Sequence, residues 1–169
     1  MKIVNKIEDL VTPSKHHKFF RDDSFERLTW EDVIDNLDRT ISEDLHYKSR
    51  DNYGIVTHDT RDILKIYPVL NKIKETLPGV EITTHLYASL TSVSKTFGKH
   101  NDVIDVVIWQ CIGVTNWTIY DDQTFHYKLR PGEFLYIPKE MYHDTTPETP
   151  RASVSFGIEH FRNEVFDWK

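Results

Sequence analysis

The stretch "HNDVIDVVIWQCIGVTNW", residues 100–117, decides the fold. From Val103 to Ile112 it is almost continuously apolar and rich in β-branched residues, and Gly113 closes it. A run of this length, bounded by a glycine, reads as a strand buried in a sheet. At its mouth stand His100 and Asp102, an imidazole and a carboxylate two positions apart. In an extended backbone side chains alternate faces, so residues i and i+2 point the same way. The spacing therefore predicts that His100 and Asp102 converge on one point while Asn101 faces away.

The sequence on either side sets the architecture. From Val80 onward it breaks into short strand-like runs: residues 80–94, 103–113, 116–122, 124–129, 130–138 and 151–159. Turn residues separate them, and no helical period intervenes, which predicts an antiparallel sandwich or barrel, with a β-barrel or jelly-roll centre. Before Val80 the period is different. Residues 28–45 carry Leu28, Val33, Ile34, Leu37 and Ile41 near 3.6 spacing, with Thr29 placed as an N-cap. Residues 60–79 repeat the pattern, with Pro68 expected to kink or divide that helix. The expected arrangement is one domain over 1–169, with residues 1–79 as a helical cover and residues 80–159 as the barrel core. The fold class is mainly β with N-terminal helices.

Composition narrows the partners. The 169 residues include 21 Lys and Arg against 27 Asp and Glu, a formal net charge of -6. An acidic chain whose only compact basic patch is Ser14 to Lys18 is not expected to bind nucleic acid or an anionic membrane. Cys111 is the single cysteine, so neither a disulfide framework nor a thiolate metal cluster can form within the chain. Within its apolar run Cys111 is expected to be buried and inert. No signal-like or membrane-spanning run is present in the sequence, and the expected location is the cytoplasm.

Two ligands do not make a metal site, and the third candidate lies downstream. In "RPGEFLYIPKEMYH", residues 130–143, a Pro-Gly turn leads into a strand that Pro138 ends, and His143 falls on the next element. A sheet folding back on itself can bring His143 beside the first pair. Two histidines and one carboxylate leave coordination positions open, the pattern of non-haem Fe(II) oxygenases. The alternative is that an H-x-D pair in a chain with 9 histidines arises by chance.

These segments together, "FGKHNDVIDVVIWQCIGVTNWTIYD", "YKLRPGEFLYIPKEMYHDTTP" and "RASVSFGIE", resemble the cupin-like JmjC oxygenases, most closely the ribosomal-protein hydroxylase branch. The resemblance covers residues 82–159. It implies a double-stranded β-helix, the cupin barrel, with Fe(II) held by His100, Asp102 and His143. It also implies 2-oxoglutarate as a small-molecule co-substrate and hydroxylation of a protein side chain. Only ten residues follow Glu159, so the further domains of larger relatives and their ribosomal substrate are not carried over.

The resemblance has one gap. Between Gly113 and Trp117, where the family carries a Lys or Arg for the distal carboxylate of 2-oxoglutarate, this chain has Thr115. Arg151, eight positions after His143, matches the place where other 2-oxoglutarate oxygenases carry an anchoring arginine, and its planar fork suits a carboxylate. The bland reading of Arg151 is a solvated strand-edge residue. Thr91 matches a hydroxyl that binds the co-substrate in some relatives, and Tyr87 can share its pocket; both also read as strand residues of the core. His85 and His126 fall in strand patterns, while His16, His17, His46, His58 and His160 read as surface. Two competing readings stand beside the oxygenase: a metal-binding cupin that does not use 2-oxoglutarate, and a non-catalytic cupin that only binds a ligand.

Overall fold

The computed structural model describes residues 2–160. In chain order it has β1 (Lys2–Ile3), α1 (Ile7–Val11), β2 (Lys18–Arg21), α2 (Trp30–Ser42), β3 (Tyr47–Arg50), β4 (Gly54–Thr57) and α3 (Tyr67–Thr76). The strands β5 (Glu81–Ser89), β6 (Asp105–Ile112), β7 (Thr115–Tyr120), β8 (Thr124–Leu129), β9 (Glu133–Ile137), β10 (Tyr142–Pro147) and β11 (Arg151–Glu159) follow. Eight strands form one sheet in the order β1-β2-β9-β6-β11-β5-β4-β3, and β10-β7-β8 form a second. All neighbours are antiparallel except β1 and β2. This is the antiparallel barrel expected from the strand pattern, in the double-stranded β-helix form that the resemblance implies.

β6 is apolar throughout because both of its faces are covered. Val106 and Ile108 point toward the second sheet and pack with Trp117, Ile119, Leu129, Leu135 and Ile137. Val107, Trp109 and Cys111 point the other way, into a larger core shared with Leu10, Val69, Ile73, Phe134 and Phe156. Trp109 is fully buried and stacks on Phe134 with ring centroids 5.7 Å apart. Burial of such side chains contributes about 1.5–3 kcal/mol each. Cys111 lies in this core, and burial pushes its thiol pKa up to about 12, which makes it unreactive.

The face toward the second sheet changes character along its width. On β11, Ala152, Val154, Phe156 and Ile158 face the helices. Arg151, Ser153 and Ser155 have the opposite parity, and all three are buried. Across the ladder Arg151 pairs with Ser89 and Ser153 with Tyr87. One half of the barrel interior is thus apolar and the other half is lined with polar side chains.

The N-terminal part departs from a purely helical cover. The helices are present: Thr29 caps α2 in a reciprocal box with Asp32, and Pro68 sits in the first turn of α3 after a 3-10 turn at Leu64–Ile66. The proline starts that helix instead of kinking it, since the first turn needs no N–H there. However, β1 and β2 extend one edge of the large sheet and β3 and β4 the other. These strands are two to four residues long, too short for a period of 2 to show in sequence. On α2, Ile34 and Ile41 are exposed, and Asn36 and Thr40 are buried in their place. Asn36 Nδ2 donates to the Asp59 carbonyl at 2.8 Å and its Oδ1 accepts from Thr57 Oγ1 at 2.8 Å, so hydrogen bonds join this face to the end of β4. Among the described residues no helix is long and apolar enough to cross a membrane.

Candidate metal centre and its cavity

His100 and Asp102 do not lie on a strand. β6 begins at Asp105, and the loop before it carries both residues. Two contacts place the loop. His100 forms an isolated bridge with His143 on β10, and the Asp102 carbonyl accepts a hydrogen bond from Glu140 N at 2.7 Å. Glu140 takes a left-handed backbone (φ 64) in the turn between β9 and β10. Convergence therefore comes from pairing with the β9–β10 connection and not from strand alternation.

The three side chains nevertheless meet. One ligand atom from each of His100, Asp102 and His143 lies within 4.8 Å of the others. His143 Nε2 is 3.6 Å from Asp102 Oδ2, His100 Nε2 is 4.0 Å from Asp102 Oδ1, and the two imidazole centroids are 4.3 Å apart. His100 Nδ1 is 2.8 Å from the Gly98 carbonyl and His143 Nδ1 is 3.0 Å from the Met141 carbonyl. A carbonyl only accepts, so each Nδ1 carries the proton. In the neutral rings each Nε2 then presents a bare lone pair toward the Asp102 carboxylate. Burial holds the His143 pKa below the ordinary histidine value, which favours that neutral form.

Three acceptors facing one another without a donor is a costly arrangement that a cation relieves. A divalent metal about 2.1 Å from each ligand at roughly 90° sets ligand atoms about 3 Å apart. The set closes on such an ion with shifts of about 1 Å or less. The residues present thus fit a metal, and their backbone-anchored imidazoles are already in the tautomer that ligation requires.

The centre opens into a cavity of about 610 Å³, counted together with its mouth. Arg151 lies in the same cavity, buried, with Nε donating to Ser89 Oγ at 3.1 Å and Nη1 to Ser153 Oγ at 2.7 Å. Its guanidinium carbon is 5.9 Å from the Tyr87 ring centre. Desolvation lowers the Arg151 pKa to about 10, so it stays charged at neutral pH, yet no carboxylate among the described residues pairs with it. Tyr87 also lines the cavity, and burial raises its phenol pKa to about 12, so it remains a neutral donor. Phe97 and Trp117 flank the two imidazoles, each 5.9 Å from one of them.

Two of the expected co-substrate residues lie elsewhere. Thr115 is fully buried, donating to Gln110 Oε1 at 2.8 Å and accepting from Trp117 Nε1 at 3.0 Å, outside the cavity lining. The Thr91 hydroxyl donates to the Asn52 carbonyl at 3.1 Å and also lies outside it. Both hydroxyls are committed to other groups in this structure. Ser89 and Ser153 hold the guanidinium instead. The signal for Ser153 was the polar parity of "RASVSFGIE", residues 151–159, in which one face is polar and the other apolar. His17 is likewise not a surface residue. It is buried, with Nε2 2.7 Å from Tyr127 Oη.

The fold is a double-stranded β-helix, the cupin-type barrel. Among solved structures, the Escherichia coli ribosomal oxygenase YcfD in complex with cobalt and 2-oxoglutarate matches with a TM-score of 0.56 and 19% identity, over 69% of this chain and 34% of that one. Its complex with cobalt and succinic acid matches with a TM-score of 0.55 and 20% identity, over the same shares. The chain thus spans about a third of the length of YcfD, and at this identity the likeness is one of fold. No protein-family model matches the chain. No curated protein matches it either.

Proposed function

We propose that this protein is a non-haem Fe(II)- and 2-oxoglutarate-dependent oxygenase of the JmjC-like type, a dioxygenase that hydroxylates its substrate. The observation that carries the reading is the buried, acid-free Arg151 in the same cavity as the His100, Asp102 and His143 cluster. A buried guanidinium without a counter-charge calls for an anionic ligand. A dicarboxylate that meets the metal at one end and Arg151 at the other uses both features. YcfD, the ribosomal oxygenase of similar fold, was solved with cobalt and 2-oxoglutarate together, which supports the pairing.

Each residue has a part in this scheme. His100, Asp102 and His143 would hold the metal, each offering one ligand atom. Iron(II) held there would supply the redox chemistry for oxidative decarboxylation of 2-oxoglutarate by dioxygen. Arg151 receives the distal carboxylate, with the Tyr87 hydroxyl as a neutral donor nearby. Ser89 and Ser153 fix the guanidinium, so little rotamer entropy is lost on binding. Trp117 and Phe97 shield the ligands from water on either side.

The test is oxygen-dependent decarboxylation of 2-oxoglutarate by the Fe(II)-loaded protein, alongside calorimetry with Mn(II). Metal-dependent binding and slow turnover without substrate, both lost in Asp102→Ala, are the expected results. Metal binding without any binding of 2-oxoglutarate leaves a metal cupin that does not use this co-substrate.

A further inference from the structure

The β3–β4 hairpin and the loop after β5 are stapled together at the cavity mouth. Lys95 N donates to the Asp51 carbonyl at 2.9 Å and Leu90 N to the Tyr53 carbonyl at 3.1 Å. Ser94 Oγ and Thr91 Oγ1 both donate to the Asn52 carbonyl, at 2.6 and 3.1 Å, and Asn52 Nδ2 returns a bond to the Val93 carbonyl at 3.1 Å. The hairpin turn places Asn52 and Tyr53 at positive φ, 58 and 64, a conformation that non-glycine residues adopt at a cost. At Gly54 an added Cβ would meet the Lys95 carbonyl at 2.7 Å, so the approach is close. The staple brings two cations, Arg50 and Lys95, to one wall of the cavity.

Neither cation has an acid partner among the described residues, whereas Arg21, Arg39, Arg61, Lys65, Lys72 and Lys128 all form ion pairs. The Arg50 guanidinium instead lies 4.1 Å from the centre of the Phe97 ring, which holds it over the mouth. In a chain of net charge -6, a cavity lined by Arg50, Lys95 and Arg151 against the single carboxylate of Asp102 is a local reversal of sign. A divalent metal adds two positive charges and a 2-oxoglutarate dianion removes two. Arg50 and Lys95 then remain uncompensated.

We propose that the cavity takes an anionic substrate, one bearing a carboxylate or phosphate close to the reacting carbon, and that Arg50 and Lys95 receive that group. The charge balance rests on the oxygenase reading above. The like-charged pair also disfavours a basic side chain as substrate, because the same wall would repel it.

The test is calorimetry on Mn(II)-loaded protein, with and without saturating 2-oxoglutarate, using inorganic phosphate, hexaglutamate and hexalysine as probes. Phosphate or hexaglutamate is expected to bind, and the Arg50→Gln/Lys95→Gln variant to weaken that binding about tenfold or more. In the same variant 2-oxoglutarate affinity should stay within about twofold, because Arg151 anchors it. Both residues are exposed at the surface, and an unchanged thermal midpoint confirms that the variant folds. Binding of phosphate points to a small-molecule substrate, and binding of hexaglutamate alone to an acidic peptide. Hexalysine binding as tightly as either anion, no anion binding, or equal affinity in parent and variant overturns the proposal. Failure of 2-oxoglutarate to bind removes the oxygenase reading by itself, and the titration with Mn(II) alone still decides the role of Arg50 and Lys95.

Discussion

His100 and His143 exchange both of their main-chain hydrogen bonds, His100 N to the His143 carbonyl at 2.9 Å and His143 N to the His100 carbonyl at 2.7 Å. Directly opposed residues of an antiparallel bridge project their side chains to the same side. Two histidines 43 positions apart are thereby fixed by backbone, and the imidazoles need only their Nδ1 anchors to aim inward. Asp102, whose carboxylate has no hydrogen-bond donor among the described residues, is the member of the cluster whose presence costs most without a cation.

Asp102→Asn should therefore separate stability from binding. The asparagine amide can donate to a neighbouring Nε2 lone pair, so the metal-free variant should be as stable as the parent or more stable by about 0.5–1.5 kcal/mol. Its Mn(II) affinity should fall by about a hundredfold or more, as expected when a first ligand loses its charge. Urea unfolding and metal titration check the two halves.

Arg151→Ala should weaken 2-oxoglutarate binding about tenfold or more and leave metal affinity nearly unchanged. Ligand stabilisation gives a second reading: 2-oxoglutarate should raise the thermal midpoint of the Mn(II)-loaded parent and fail to raise that of the variant. Equal midpoint shifts in the two proteins would remove Arg151 as the anchor.

Thr115→Val decides between a structural and a co-substrate role for that residue. It leaves Gln110 Oε1 and Trp117 Nε1 without their partner in a buried site. The expected cost is about 1–3 kcal/mol of stability, with 2-oxoglutarate affinity unchanged. A loss of co-substrate affinity at unchanged stability would return Thr115 to the binding site.

Gly113→Ala should damage stability and site together. Gly113 has φ 68, and an added Cβ would lie 2.0 Å from the Pro150 carbonyl oxygen and 3.0 Å from Arg151 Cα. The strain should cost about 2 kcal/mol or more, and relief of the clash should displace the start of β11 with Arg151. A thermal midpoint and a 2-oxoglutarate affinity both below those of the parent are expected.

Acid should destabilise the fold through His58. Desolvation, with help from His85, His46 and Lys48, lowers its pKa from 6.5 to about 4. Between those values the unfolded chain binds a proton at His58 that the folded chain does not, so stability falls as pH drops from 6.5 to about 4. His58→Asn should flatten that part of the stability profile.

Much of the barrel was legible because β6 and β11 carry signals that no other element imitates. A continuous apolar run marks a strand covered on both faces, and "RASVSFGIE" shows which of its faces is polar. The identities of the clustered residues were legible too, but the geometric reason was not. Strand alternation was the natural inference from His-x-Asp, whereas the convergence depends on a bridge to a residue 43 positions away and on a left-handed turn at Glu140. Short edge strands such as Gly54–Thr57 escaped because four residues carry too little pattern. Arg50 and Lys95 escaped for a related reason, since tertiary hydrogen bonds donated and accepted by Asn52 bring their segments together.

The central claim is that one cavity holds a metal and a dicarboxylate together. A crystal structure of the protein soaked with Mn(II) and 2-oxoglutarate tests it most directly. The account predicts a metal about 2.1 Å from His100 Nε2, Asp102 and His143 Nε2, with the keto-acid end of 2-oxoglutarate on the metal. The distal carboxylate should lie about 2.7–2.9 Å from the Arg151 guanidinium. A metal bound away from these three residues, or a 2-oxoglutarate whose distal carboxylate does not meet Arg151, would contradict it.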